Sequence, residues 1–167
     1  MSVKIAGEKL EKASQEGNNA FLAVFIDAYL NVTKNKLDST TMPLLNGWQH
    51  SLLSYHYFRE ELMQGGFVQL IQNGYGSYIF KNPFAKSLKI IGAEELSKIV
   101  YKAKEIYDKH QKDLERETTD EEFHAMYEQY ENFADLEERF FEIEEECTSI
   151  IAYYVDQHIG DFAEIES

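Results

Sequence analysis

The chain has 167 residues, of which 44% are hydrophobic and 14% aromatic, and this content excludes a disordered protein. Its formal net charge of −14 at pH 7 excludes direct binding to nucleic acid through a basic surface. The single cysteine cannot form an internal disulfide, so we expect a reducing compartment.

The N-terminal segment, Met1 to Gly17, is polar and has no apolar core of signal-peptide length. The one candidate membrane span, Ala20 to Leu30, is too short to cross a bilayer and contains Asp27. We therefore expect a cytoplasmic protein that does not bind membranes, folded as a single domain over residues 1–167.

Apolar residues recur at helical spacing along most of the chain, and this pattern predicts an all-α fold. The predicted helices cover Val3 to Ser14, a stretch capped by Asn19 that fades through Asn31 to Lys36, Pro43 to the Gly65-Gly66 pair, a short helix starting at Phe67, Pro83 to Gly92, Ala93 to Leu114, a stretch starting at Thr119, and Phe133 to His158. The only candidate strand is the short stretch from Tyr75 to Phe80. The fold class predicted is a single-domain helical bundle of about six to eight helices.

A double-glycine elbow near the middle of the chain connects two of these helices. Leu62 and Met63 belong to the apolar face of the incoming helix, and Gly65-Gly66 ends it because glycine reaches positive φ without steric cost. A second stop of the same kind follows at Asn73-Gly74. The polar residues expected around the corner are Glu61, Gln64, Gln69 and Asn73. They either satisfy backbone groups at the two helix ends or form a ligand site.

The elbow also carries a sequence motif. A Glu four residues before Gly-Gly-Phe, followed by a Gln and by Asn-x-x-Gly, resembles the core motif of the DNA-mimic-protein-like family of acidic bacterial proteins. The matching residues are Glu61, Gly65, Gly66, Phe67, Gln69, Asn73 and Gly76, and Gln64 stands where the family usually carries Asn. The resemblance covers roughly residues 45 to 160 and includes Ile91-Gly92-Ala93 and Thr119 to Phe123. It implies an interaction protein that binds a basic, nucleic-acid-binding partner such as a transcription factor.

The charge is concentrated in the C-terminal part of the chain. Residues 1–112 contain 14 Lys and Arg against 11 Asp and Glu, a net charge of +3. Residues 113–167 contain 2 Arg against 19 Asp and Glu, a net charge of −17. A surface with this charge repels nucleic acid and attracts basic proteins.

A row of carboxylates follows one side of the last helix, opposite an apolar side that includes Phe140 and Cys147. Successive members stand about one helical turn, roughly 5–6 Å, apart, which is close to the spacing of every second phosphate in a DNA strand. The row could also be an ordinary solvated helix face. The residues predicted to bind a partner are Glu131, Asp135, Glu138, Glu142, Glu145 and Glu146.

Signals for metal, cofactor or catalytic chemistry are weak. Glu121 and His124 have the spacing used in di-iron bundles, but a second Glu-x-x-His motif is missing from the sequence. Cys147 lies on an apolar stripe, where a buried thiol is inert. We therefore predict no metal site, no cofactor and no catalytic residues.

The leading hypothesis is an acidic interaction module, a DNA mimic that binds a basic DNA-binding regulator. The alternative is a small-molecule-binding protein or enzyme that uses the polar elbow around Glu61–Gln69. Internally bonded polar groups at the elbow would favour the first hypothesis, and unpaired amides beside a desolvated Glu61 would favour the second. The sequence leaves a homodimer open.

Overall fold

A computed structural model describes residues 2–167 and confirms the all-α fold class. Its described residues form ten α-helices, eight of them with seven residues or more, and one small two-stranded sheet. The chain divides into two compact units, residues 1–53 with 146–167 and residues 54–145, and the long helices α3 and α9 each contribute to both. The single-domain organisation over residues 1–167 stays a prediction.

The first unit joins the two ends of the chain. It contains β1 (Lys4–Ala6), α1 (Gly7–Glu16), α2 (Asn18–Thr33), a 3-10 turn (Met42–Leu44), the start of α3 (Gly47–Gln64), the end of α9 (Ala134–Gln157), α10 (Ile159–Phe162) and β2 (Glu164–Glu166). The strands pair in parallel with Ile5 opposite Ile165. The buried hydroxyl of Tyr29 donates to the carbonyl oxygen of Phe162 at 2.7 Å, which ties the C-terminal turn to α2.

The second unit has a core of aromatic rings. It contains the end of α3, α4 (Gly66–Gln72), α5 (Gly76–Phe80), α6 (Phe84–Ile91), α7 (Glu94–Glu115), α8 (Asp120–Gln129), a 3-10 turn (Glu131–Phe133) and the start of α9. The ring centroids of Phe58 and Phe140 lie 5.1 Å apart, and so do those of Phe67 and Phe133. These contacts pack the elbow and the start of α9 against one another, since burying aromatic rings contributes the largest apolar areas of a core.

Most predicted helix ends are confirmed. Gly92, with φ +106°, ends α6, and α9 covers the predicted last helix to within one residue at each end. At α8 the Thr119 hydroxyl accepts from the Glu122 backbone N–H, and the Glu122 carboxylate accepts from the Thr119 N–H. This reciprocal capping box explains why the acidic residues after Thr119 begin a helix.

Several local predictions are wrong. The candidate strand Tyr75 to Phe80 is the helix α5, and the strands lie instead at the chain ends. The predicted first helix does not start at Val3, because Lys4–Ala6 forms β1 and α1 starts at Gly7. Pro43 belongs to the 3-10 turn and not to the first turn of α3, which starts at Gly47. Met63 does not point inward, because its side chain is 57% exposed. Short terminal strands and isolated 3-10 turns have no periodicity that a sequence pattern could reveal.

Candidate functional site

The double-glycine elbow is a sharp turn in which the second glycine adopts the unusual conformation. The Gly65 N–H donates to the carbonyl oxygen of Glu61 at 2.8 Å and completes the last turn of α3. Gly65 has φ −161°, which any residue adopts, whereas Gly66 has φ +87°. The sequence predicted the stop, and the structure assigns the positive φ to Gly66.

Three glycines of the motif also allow close approach of side chains. A Cβ on Gly65 would lie 2.1 Å from Oε1 of Gln69, and a Cβ on Gly66 would lie 2.1 Å from Oε2 of Glu137. A Cβ on Gly76 would lie 2.7 Å from the ring of Tyr107. The absence of a side chain at these positions lets a polar or aromatic group pack directly against the backbone.

The polar residues of the motif are bonded to one another. Both oxygens of Glu61 accept from the side-chain amide of Asn73, at 3.0 and 3.2 Å, and one also accepts from the amide of Gln69 at 2.7 Å. The structure thus brings three of the four predicted elbow residues together, while Gln64 stays exposed at the end of α3. The Glu61 network connects the last turn of α3 with the middle and the end of α4.

A carboxylate of α9 also forms a hydrogen bond at the elbow. Oε2 of Glu137, on α9, accepts from the backbone N–H of Phe67 at 2.6 Å, at the N-terminal end of α4. Burial raises the pKa of Glu137, and this hydrogen bond lowers it in part. Burial raises the pKa of Tyr127, and the carboxylates of Glu137 and Glu61 add to that rise.

Sequence reasoning missed the role of Glu137 at the elbow. The available signal was its position, four residues after Phe133 and three before Phe140, which puts it near the edge of the buried side of α9. Periodicity could not show that this edge faces α4, because the contact joins residues 70 positions apart.

Other carboxylates of α9 have partners of their own. Arg139 binds Glu142 on the same helix at 2.7 Å and Glu95 of α7 at 2.6 Å. Glu144 pairs with Arg59 of α3 at 3.6 Å. Glu142 therefore contributes less free charge to the predicted row than its position on the helix indicated.

Three members of the predicted row, all in the second unit, are exposed and have no ion pair among the described residues. Asp135, Glu138 and Glu145 are exposed on α9, and within residues 2–167 the structure gives them no ion pair. Glu131 is exposed in the 3-10 turn that precedes α9 and thus lies outside the helical row. Glu146 is exposed on the part of α9 that belongs to the first unit. We define the acidic row below as Asp135, Glu138 and Glu145.

The cations of the C-terminal segment do not neutralise this row. Arg116 is held by Asp113 at 3.0 Å and by Glu122 at 3.7 Å. Arg139, the other cation among residues 113–167, binds Glu95 and Glu142. Neither arginine of this segment therefore pairs with the acidic row.

The remaining candidates concern metal binding, the single cysteine and a membrane span. Within residues 2–167, no group of three or more His, Cys, Asp and Glu side chains is arranged to hold a metal ion. Glu121 and His124 are exposed on α8, and Cys147 is buried at 3% exposure. Across the same residues, no helix combines the length and the apolar character needed to span a membrane.

The fold and these surfaces define an acidic helical protein whose glycine elbow is internally bonded and whose last long helix presents unpaired carboxylates. The sequence model of the DMP19-like protein family matches residues 44–158. The chain is also 31% identical over 156 residues to the DNA mimic protein DMP19 of Neisseria meningitidis serogroup B (strain ATCC BAA-335 / MC58), covering 93% of this chain and 94% of that protein. The chain belongs to the DMP19-like protein family.

Proposed function

We propose that this protein is a DNA mimic that binds a basic, nucleic-acid-binding protein through the acidic row of α9. The observation that carries the proposal is the set of exposed carboxylates at Asp135, Glu138 and Glu145, which have no ion pair among the described residues. The name of the meningococcal relative, a DNA mimic protein, supports the same role.

The geometry of the acidic row suits a surface made to attract cations. Asp135 and Glu145 are ten residues apart on one helix, which separates them by about 15 Å along its axis. DNA presents its phosphates on one strand at about 3.4 Å intervals, so this length corresponds to about four phosphate steps. A partner that binds a phosphate backbone with Lys or Arg would find carboxylates over a comparable distance.

The elbow supports this proposal over its alternative, a small-molecule or catalytic site. Gln69 and Asn73 both donate to Glu61, and Glu137 accepts from the backbone N–H of Phe67. Polar groups that already satisfy each other have little left to offer a ligand. The elbow residues therefore position α3, α4 and α9 and hold the acidic helix in place.

The test compares the parent protein with a variant that lacks the charges of the acidic row, Asp135→Asn, Glu138→Gln and Glu145→Gln. A matched control, Glu8→Gln, Glu11→Gln and Glu16→Gln, removes the same charge from exposed positions on α1. The basic protein that the parent captures from its native lysate is purified. Its association and dissociation rates with all three proteins are then measured at two salt concentrations, with duplex DNA as competitor.

We expect the row variant to associate at least tenfold more slowly than the parent, because exposed charges act mainly by steering encounter. The α1 control should bind like the parent, DNA should compete, and affinity should fall steeply between about 0.1 and 1 M salt, as the Debye length shortens from about 10 to 3 Å. Equal association rates for the two charge variants, or a complex that duplex DNA does not displace, would overturn the proposal.

A further inference from the structure

Two large apolar side chains of the second unit remain in solvent beside the acidic row. Met63, the next-to-last residue of α3, is 57% exposed, and Phe141, on α9, is 50% exposed. Both neighbours of Phe141 on the apolar side of the helix, Phe140 and Ile143, are buried. The exposure of Phe141 is therefore a property of its own position and not of a loosely packed helix.

The contacts between α3 and α9 place these two side chains at the same level. Arg59 of α3 pairs with Glu144 of α9. Phe67, at the start of α4 and three residues past the end of α3, bonds to Glu137, seven residues before Glu144, so α9 runs antiparallel to α3. Met63 comes four residues after Arg59, about one turn further along α3. Phe141 comes three residues before Glu144, also about one turn away. Because the helices are antiparallel, this step along α9 points the same way as the step from Arg59 to Met63 along α3. Met63 and Phe141 thus lie at the same level on two neighbouring helices, and we refer to them together as the Met63–Phe141 patch.

The patch adjoins the acidic row directly. At about 100° per residue, Phe141 lies about 40° around α9 from Glu145 and about 60° from Glu138, on the same side. Glu137 and Glu144, which face α4 and α3, lie on its other side. On α3, the exposed Glu60 precedes Met63 by three residues. The apolar patch is therefore bordered by carboxylates.

The geometry points to the Met63–Phe141 patch as the part of the proposed interface that takes an apolar side chain of the basic partner, an inference that rests on the proposed function. Charge complementarity identifies the occupant as an apolar side chain flanked by Lys or Arg. A second copy of this chain fits poorly, because a twofold contact through the patch would bring the carboxylates that border it, Glu60, Glu138 and Glu145, against the same acidic border of the other copy.

DNA-binding elements present such an arrangement. They combine cations that contact phosphates with apolar side chains that contact the methyl group of thymine in the major groove. The patch and the acidic row would then stand in for a base edge and its neighbouring phosphates. This assigns the partner to proteins that read bases in the groove, and not to proteins that bind the backbone alone.

The test uses two amphipathic helical peptides that carry lysines on one face, one with a leucine among the lysines and one with serine in its place. Their affinities are measured by fluorescence anisotropy for the parent, Phe141→Ser, Phe141→Met and Tyr101→Ser. Tyr101 is a matched control because it is an aromatic residue of the same unit, on α7, and is 45% exposed. Sedimentation of the parent and of Phe141→Ser gives the oligomeric state of each.

We expect the parent to bind the leucine peptide up to about tenfold more tightly than the serine peptide, since the difference is one buried apolar side chain. Phe141→Ser should remove this preference, whereas Phe141→Met and Tyr101→Ser should keep it. Equal, salt-sensitive binding of both peptides by the parent would overturn the inference and leave the proposed function standing. If neither peptide binds, the inference fails, and the rate measurements with the captured partner decide the proposed function. A parent dimer that Phe141→Ser dissociates would also overturn the inference, because a second copy would then cover the patch.

Discussion

At the scale of single residues, the motif glycines have different physical roles although the sequence presents them as a pair. Gly65 has an extended φ and gives space to the side chain of Gln69. Gly66 has φ +87° and gives space to the carboxylate of Glu137. Substitution at Gly65 meets the side chain of Gln69, which also bonds to Glu61, whereas substitution at Gly66 meets both backbone strain and the bonded carboxylate of Glu137.

This difference leads to a prediction for alanine substitutions. Gly66→Ala should lower the free energy of unfolding by about 2–4 kcal/mol, because it combines positive-φ strain with disturbance of the Glu137–Phe67 hydrogen bond. Gly74→Ala is the matched control, since Gly74 has φ +90° and nothing lies within 4 Å of its would-be Cβ. It should cost only the strain, about 1–2 kcal/mol. Urea titrations of both variants decide this, and equal losses would mean that the carboxylate contact adds nothing.

At the scale of elements, Glu137 links the acidic helix α9 to the start of α4. Its carboxylate accepts from the Phe67 N–H, and burial keeps the pKa of this carboxyl above the ordinary range of a glutamate. α9 therefore uses the carboxylate of Glu137 to hold the fold, while the carboxylates of the acidic row face solvent. The same residue type serves both purposes, and packing against α4 makes the difference.

The raised pKa of Glu137 determines whether its contribution to the free energy of unfolding rises or falls with pH. As pH rises from about 4.3, the ordinary glutamate pKa, the unfolded chain loses the proton before the folded chain does. The contribution of this group to the free energy of unfolding therefore falls as pH rises to the folded pKa, and is constant above it. Glu137→Gln keeps an acceptor for Phe67 but cannot ionise, so the stability of the parent relative to this variant should fall over that window.

Urea midpoints of the parent and of Glu137→Gln between about pH 4 and pH 8 measure this difference, because shifts from other carboxyls are common to both proteins. Glu137→Leu is a second comparison, in which the Phe67 N–H loses its acceptor. At neutral pH it should be less stable than Glu137→Gln by about 1–3 kcal/mol. A difference between parent and Glu137→Gln that does not change with pH would contradict the raised pKa.

At the scale of the whole molecule, the net charge of −14 has opposite effects on folding and on binding. Carboxylates that face solvent without cations repel one another, and this repulsion destabilises the compact state. The same field attracts a basic partner from solution. Salt screens both interactions, so it should stabilise the protein and weaken its complex.

We therefore expect the melting temperature to rise when salt is increased from about 0.01 to 1 M, over which the Debye length shortens from about 30 to 3 Å. Each kcal/mol of relieved repulsion should add about 2–4 °C for a chain of this size. The variant Asp135→Asn, Glu138→Gln, Glu145→Gln should melt at a higher temperature than the parent at low salt and respond less to added salt. Calorimetry at several salt concentrations tests this, and a salt-independent melting temperature would show that the row is not under repulsion.

Sequence patterns alone predicted the helical class, the stops at Gly65-Gly66 and Gly92, and the start of α8 at Thr119. They also placed Asp135, Glu138 and Glu145 on the side of α9 away from Phe140. These features depend on helical periodicity, on the stereochemistry of glycine and on capping, all of which act between residues a few positions apart.

Only the tertiary structure decided which residues meet across long separations. It joined Glu137 to the elbow and Arg139 to Glu95, and it left Met63 in solvent. It also paired Lys4–Ala6 with Glu164–Glu166, strands too short for any periodic signal. Helical periodicity tells which side of a helix is apolar, but it does not tell which neighbour covers that side. Packing therefore decides which acidic residues hold the fold and which face solvent.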